Sequence, residues 1–583
     1  MFGRSVFPGL KSNTKRSSNI SRYFIHGKGE LRLGRSDFKA QGGEGAVYVK
    51  GSTAYKIYTN PTRAIPLAKI NELSALDQPN IIRPLDLILD GKNTPVGYSM
   101  RSVEKAHALC QLFPKAFRQR NNLTPELMLR LVLRLQAGVS HVHDKGILIV
   151  DLNELNFLVS ADFSEVFFVD VDSYQTPSFP ATVLMESVRD RHTITFNQGS
   201  DWFSFAVVSF QMFTGIHPFK GTYAPLQHLP DKAKKLDARM LANISVLHPN
   251  VSVPSSCLPF SVIPQVYLDW YRAVFEQGMR LPPPDNPHAL GIMITVRANE
   301  SVESGSFEIN RVREFDSEII WHDGIITVTQ SSVYFDGKNY PKPPFDVKLV
   351  VSPRQRHLIA AFHDGTRLRF RDLTVDKDVA SEIEGEDVML SDGKLYIKQH
   401  ESIFAVDLIE LPQNLLLGLR LVANVMIRST RMFEGVAIQN LLGANYVSIP
   451  TADGVCHQVR MPELDGCQIV DARRDRNVLI VVVTTEGRYD KLIFRFSDDF
   501  NGYDCRRLDD IVSTGIEFTV LDSGIVLHLA EDGRLEVFPK VRDSAKIRVI
   551  RDQALDEDLR LFHTGTQALI AGGPSLYKIR LKS

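Results

Sequence analysis

Residues 147–158 read ILIVDLNELNFL, and after a short gap residues 166–174 read VFFVDVDSY. Two apolar runs deliver Asp151, Asn156 and Asp170 to one neighbourhood, an acidic cluster of the kind that holds metal-bound phosphates. Such a cluster needs two partners elsewhere in the chain: a cation for phosphate oxygens and a backbone loop able to close over them.

Both partners lie upstream. Residues 40–58, AQGGEGAVYVKGSTAYKIY, read as strand, glycine-rich turn, strand, short turn and strand. A backbone without Cβ can approach a phosphate and aim its N–H groups at it. Lys56 sits in the middle of the apolar strand AYKIY, where an ammonium is costly to bury without phosphate oxygens or a carboxylate beside it. Glu72, in the helical stretch LAKINELSAL (67–76), is the nearest candidate carboxylate. PNIIRP (79–84) breaks the pattern and GYSMRSV (97–103) adds a strand, completing a small β-rich lobe.

Helical spacing follows. TPELMLRLVLRLQAGVSHVH (124–143) has Thr124 as N-cap and Pro125 at the first helical position. His141 and His143 are two residues apart and point in different directions, which argues against a metal pair. SDWFSFAVVSFQMFTGIHPF (200–219) is a second apolar helix with Asp201 at its start, where a carboxylate can accept from backbone amides. VYLDWYRAVFEQGM (266–279) is a third, and PPPDNP (282–287) ends the helical region.

The composition is that of an ordinary globular chain: 583 residues, 44% hydrophobic, 23% charged and zero formal net charge. The length calls for roughly three or four domain-sized units, and the charge balance points to no nucleic-acid partner. Five widely spaced cysteines suggest neither a disulfide framework nor a zinc knuckle. With no signal-peptide core and no apolar run long enough for a membrane span, the expectation is a cytoplasmic protein with no membrane partner. Residues 1–22, basic and without an acid, have the composition of a flexible tail.

Residues 30 to about 290 resemble a eukaryotic-type (Hanks-type) protein kinase catalytic domain. They are most similar to a divergent bacterial branch with a GGEGAVY loop and a D-V-D-S-Y/F-Q segment, here residues 42–48 and Asp170 to Gln175. The family's G-x-G-x-x-G-x-V is met at Gly42, Gly45 and Val47 but not at Ala40. The resemblance implies a bilobal α+β fold, an N-lobe at 23–105 and a C-lobe at 106–292. It implies ATP and Mg²⁺ as cofactors, with Gly42, Gly43, Gly45, Val47 and Lys56 around the phosphates. Glu72 would pair with Lys56, and Met100, Arg101 and Val103 would lie beside adenine with Met100 as gatekeeper. Asp151 would orient the acceptor hydroxyl and take its proton, while Asn156 and Asp170 would bind the metal. Departures stand beside these matches. Ile149-Val150 replace His-Arg, so this is a non-RD sequence in which activation by loop phosphorylation is not expected. Asn153 replaces the catalytic-loop lysine, Val171-Asp172 replace Phe-Gly, and Met185-Glu186 stand at a degenerate A-P-E.

After a linker expected at 293–307, the pattern becomes short strands through 308–583. Apolar runs such as LIAAF (358–362), VLIVVV (478–483) and IVLHLA (525–530) are followed by mixed strands such as RLRFRDL (367–373) and KLIFRF (491–496). Seven Asp-Gly pairs mark tight turns. A repeat of roughly 30–47 residues predicts a β-propeller of six or seven blades, with paired β-sandwiches as the alternative.

The expected function is an ATP- and Mg²⁺-dependent Ser/Thr protein kinase whose propeller recruits substrate or partner proteins. Alternatives are a pseudokinase–propeller scaffold and, further off, a small-molecule kinase or AMP transferase.

Overall fold

The computed structural model describes residues 21–181, 185–254, 257–284, 305–412, 414–485, 487–540, 547–556 and 558–582. The basic tail, apart from its last two residues, and most of the expected linker lie outside them.

A seven-stranded antiparallel sheet forms the N-terminal lobe, with strand order β2-β1-β6-β7-β5-β4-β3. Its strands are β1 (Ser21–Ile25), β2 (Gly29–Leu33), β3 (Phe38–Gln41), β4 (Gly45–Lys50), β5 (Thr53–Tyr58), β6 (Asp86–Leu89) and β7 (Pro95–Arg101). Two glycines are needed here for close backbone approach: a Cβ at Gly97 would lie 2.0 Å from the Lys56 carbonyl oxygen, and one at Gly45 2.5 Å from that of Ile57. The one α-helix among the described residues of this lobe, α1 (Leu67–Leu73), is seven residues long and buries Lys69, Ile70 and Leu73.

The C-terminal lobe is helical. It comprises β8 (Ala106–Ala108), α2 (Lys115–Arg120), α3 (Pro125–Asp144), β9 (Phe157–Ser160), β10 (Val166–Phe168), α4 (Gln198–Thr214), α5 (Lys232–Leu241) and α6 (Gln265–Phe275). Thr124 caps α3, its hydroxyl accepting from the Leu127 amide. Helix α4 begins three residues before Asp201: Asn197 is its N-cap, in a reciprocal box with Ser200, and Gly215 (φ +78°) ends it. Every residue of α4 from Ser200 to Thr214 is buried, so it forms the axis of the lobe. The hairpin of β9 and β10 carries residues 151–156 and 170–173 to the side of the sheet where Lys56 lies.

The remainder is all β. Among the described residues it folds as seven four-stranded antiparallel sheets in chain order. Six are local, spanning 319–341, 348–378, 387–424, 430–460, 468–508 and 518–550. The seventh combines 560–581 with Phe307–Glu314, which pairs with the last strand from Phe307↔Leu581 to Glu314↔Ser575 and so ties the two ends of the region together. These are many small sheets, not the few large ones of paired sandwiches. Two Asp-Gly pairs, Asp336-Gly337 and Asp392-Gly393, have positive φ at both residues, the conformation of a tight two-residue hairpin turn.

The two regions share a core. One continuous buried cluster joins Cys110, Leu112 and the α3, α4 and α6 side chains to Val470, Tyr489, Ile511, Ile516 and Phe518. Around it Gln111 donates to the Val470 carbonyl (3.1 Å), and Lys220 pairs with Asp510 (3.1 Å) and Lys115 with Asp558 (3.2 Å). The chain is therefore not two modules on a string, because an apolar core crosses the boundary.

Packing of α3 on β10 gives a stability test. A Cβ at Gly138 would lie 2.3 Å from the Phe168 ring. Gly138→Ala gains about 1 kcal/mol of helix propensity, against an overpacking cost of about 1–3 kcal/mol. The variant is expected to be less stable in urea unfolding; a higher midpoint would show that the contact yields without cost.

Candidate active site

The stretch around Asp151 is held by a carboxylate from the core. Asp201, 1% exposed, accepts from the amides of Ile149 (2.8 Å) and Val150 (2.9 Å) and contacts His143 Nε2 at 2.9 Å. Val150 has φ +64°, a left-handed conformation costly for a β-branched residue and one that persists only where its surroundings enforce it. The two amide bonds to Asp201 are that enforcement. Asp201 thus accepts amides as expected, but those of the loop and not of its own first turn.

Asp151 emerges from this turn nearly enclosed, and burial pushes its carboxyl above the ordinary range. Oδ1 accepts from the Met185 amide (2.6 Å) and Oδ2 from Asn156 Nδ2 (3.2 Å), while the same Nδ2 donates to the Asp151 carbonyl (3.0 Å). Asn153, standing where the resembled family has lysine, braces the loop: it donates to the Asp151 carbonyl and accepts from the Leu155 amide at 2.8 Å.

Opposite lies Lys56 on β5, with 7% of its surface exposed. Its ammonium donates to Asp170 Oδ1 (2.5 Å), to both oxygens of Asp172 (2.9 and 3.1 Å) and to Glu44 Oε2 (3.3 Å). Asp172 also accepts from the hydroxyls of Tyr58 and Tyr98, each at 2.5 Å, and its backbone carbonyl accepts from Lys69 Nζ at 2.7 Å. Burial alone would pull the Lys56 ammonium down; its electrostatic environment of Tyr98, Asp172 and Asp170 outweighs that and holds its pKa well above the ordinary value. Burial likewise pushes Asp172 up, and Lys56 with the two tyrosine hydroxyls brings it below the usual carboxylate range. Burial pushes the Asp170 carboxyl above the ordinary range, with Lys56 as its main opposing charge.

Glu72 is not a partner of Lys56. It accepts from the Ser178 amide at 3.2 Å, because α1 turns Lys69, Ile70 and Leu73 inward and leaves Glu72 facing out. The carboxylate expected from the helix comes instead from Asp172, in the next turn after Asp170.

Gly42, Gly43, Gly45, Val47, Lys56, Met100, Val103, Asn156 and Asp170 all line one cavity of about 1880 Å³. Nothing lies within 4 Å of a Cβ built at Gly42 or Gly43, so that backbone is open to a ligand. Arg101 does not belong to this wall: its guanidinium stacks 5.7 Å from the Phe167 ring and donates to the Pro79 carbonyl. Asn156 and Asp170 together offer the oxygen donors that suit a hard divalent cation, with Glu44, Asp170 and Asp172 oxygens converging within 4.8 Å of one another.

The β region meets this site directly. The Tyr489 hydroxyl donates to Glu154 Oε1 at 2.7 Å, three residues beyond Asp151, and burial pushes the Glu154 carboxyl up. A Cβ at Gly487 would lie 2.4 Å from the Met185 sulfur and 2.5 Å from the Ser187 hydroxyl, so this edge is pressed against the segment that covers Asp151. The cavity itself continues between the regions, where Trp321, Asp387, Arg431 and Asp471 line it.

Sequence reasoning missed Glu44, Tyr58, Lys69, Tyr98, Asp172 and Tyr489. Two carried a signal: Asp172 is an acid inside the apolar run VDVDSY, and Lys69 is the one cation among the inward positions of α1.

Removing the Asp201 acceptor leaves two buried amides unpaired, at a cost of about 2–4 kcal/mol. Asp201→Ala is expected to lower the unfolding free energy measured in urea by that amount and to loosen the loop, seen as faster amide exchange at Ile149 and Val150. Unchanged exchange would show that Val150 is held by other contacts.

No family model matches the chain. Its sequence is similar to the serine/threonine-protein kinase Nek2 of Homo sapiens, 23% identical over 188 residues, which is 30% of this chain and 42% of that protein. It is also similar to the Nek2 kinase of Mus musculus, 22% identical over 207 residues, or 33% of this chain and 46% of that protein. The chain thus spans less than half the length of the curated relatives it matches, and the similarity supports a protein kinase domain here.

Proposed function

We propose that this chain is an ATP- and Mg²⁺-dependent Ser/Thr protein kinase of non-RD type. On the same reading its seven small sheets are the blades of a seven-bladed propeller that engages a protein substrate or partner. The observation that carries the catalytic reading is the convergence of Lys56, Asn156 and Asp170 with the open Gly42-Gly43 backbone on one cavity. Lys56 holds phosphate oxygens beside the open Gly42-Gly43 backbone, where the Gly42 amide itself donates to the Gly45 carbonyl at 2.9 Å. Mg²⁺ held by Asn156 and Asp170 would neutralise phosphate charge. Asp151, released from the Met185 amide, takes the acceptor proton as the hydroxyl oxygen bonds to phosphorus and the β–γ bridge breaks to leave ADP.

A second reading, a scaffold that binds nucleotide or partners without transfer, draws support from one observation. The Asp151 carboxylate is occupied by the Met185 amide, behind an edge formed by Gly487 and Tyr489. A small-molecule kinase or an AMP transferase stands further off.

Full-length protein incubated with Mg²⁺ and either γ- or α-labelled ATP separates these readings. Transfer of the γ label, lowered by about a hundredfold or more in Asp151→Ala and Asp170→Ala, is the expected result. Transfer of the α label instead would assign AMP transfer. No transfer together with a rise in melting temperature on adding Mg²⁺ and ATP would assign the scaffold. Neither transfer nor stabilisation would sink the nucleotide site.

A further inference from the structure

We propose that Asp172 is the positioning residue for Lys56, so that the lysine is held by the same turn that presents Asp170 and needs no helix carboxylate. The inference rests on the kinase reading above for its effect on ATP, but not for its geometry.

Three carboxylates touch the ammonium, and they are not equivalent. The Asp170 side chain is 33% exposed and lies on the cavity wall, where a ligand competes for it, and Glu44 is 26% exposed in the loop before β4. Asp172 is 4% exposed and is not part of that wall. Both its oxygens receive Lys56, each also receives a tyrosine hydroxyl, and Lys69 holds its carbonyl. Four donors from β5, β7 and α1 therefore fix one carboxylate-bearing residue. When Asp170 and Glu44 turn to a ligand, Asp172 remains with Lys56.

Asp172 is also rigidly registered to Asp170. Residues 171–173 form a single tight turn in which the Ser173 amide (3.1 Å) and hydroxyl (2.8 Å) both donate to the Asp170 carbonyl. The lysine and the carboxylate of Asp170 thus move as one unit. Swinging α1 would disturb Lys69 and a backbone carbonyl, not a salt bridge to Lys56.

The test uses the full-length protein and two readouts. In steady-state transfer, Asp172→Asn is expected to raise KM for ATP by about tenfold or more, Asp172→Glu to recover part of that loss, and Glu72→Gln to stay within about twofold. Acylation of Lys56 by an amine-reactive ester, mapped by mass spectrometry without nucleotide, is expected to rise about fivefold in Asp172→Asn, because the ammonium loses its deepest partner. A folded Asp172→Asn with wild-type KM and wild-type labelling would overturn the proposal, as would Glu72→Gln reproducing its effects. If Asp172→Asn does not fold, Tyr98→Phe loosens the same carboxylate, and unchanged Lys56 labelling in that variant would overturn the proposal. A wild-type protein that transfers no phosphate would sink the kinase reading alone, since labelling still decides what holds Lys56.

Discussion

A lysine ammonium buried in the N-terminal sheet is the constraint on which the rest of the site depends. Leaving Lys56 unpaired at 7% exposure would cost several kcal/mol. The fold meets that cost by bringing three carboxylates and two tyrosine hydroxyls to one point. They come from the glycine-rich loop, β5, β7 and the turn after β10. Breaking any one partnership leaves charge in a low-dielectric pocket, so electrostatics joins the two lobes here.

A second polar node, Asp201 with Ile149, Val150 and His143, does for the lower lobe what Asp172 does for the upper. It ties an irregular loop to a helix that is buried along nearly its whole length. A left-handed valine is worth about 1–3 kcal/mol of strain, comparable with what two charge-assisted amide bonds return. The loop is therefore irregular by enforcement, and Asp151 is aimed by a residue fifty positions downstream.

The β region is part of the kinase-like lobe's environment. A shared apolar core, with Tyr489 against Glu154 and Gly487 against Met185, places its edge on the loop at 149–156 and on the segment covering Asp151. Neither side of such a contact can shift without uncovering buried surface. The cavity running from Gly42 to Asp471 follows from the same docking.

What the sequence determined by itself was local: the Thr124-Pro125 helix start, the strands either side of the glycine-rich turn, and the spacings that put Lys56, Asp151, Asn156 and Asp170 in order. Periodicity and capping act over a few residues, so they are legible in order along the chain. Only the tertiary structure decided which carboxylate meets Lys56. A helix of seven residues leaves its inward face undetermined by pattern, and the choice between Glu72 and Asp172 turns on how α1 docks. It also decided the first strands of some small sheets, such as Gln468–Asp475, whose polar and charged side chains include Asp471 on the shared cavity and so escape a search for apolar runs. The bond from Tyr489 to Glu154 joins residues 335 positions apart, a distance over which only the packed core, and no local preference, brings two side chains together.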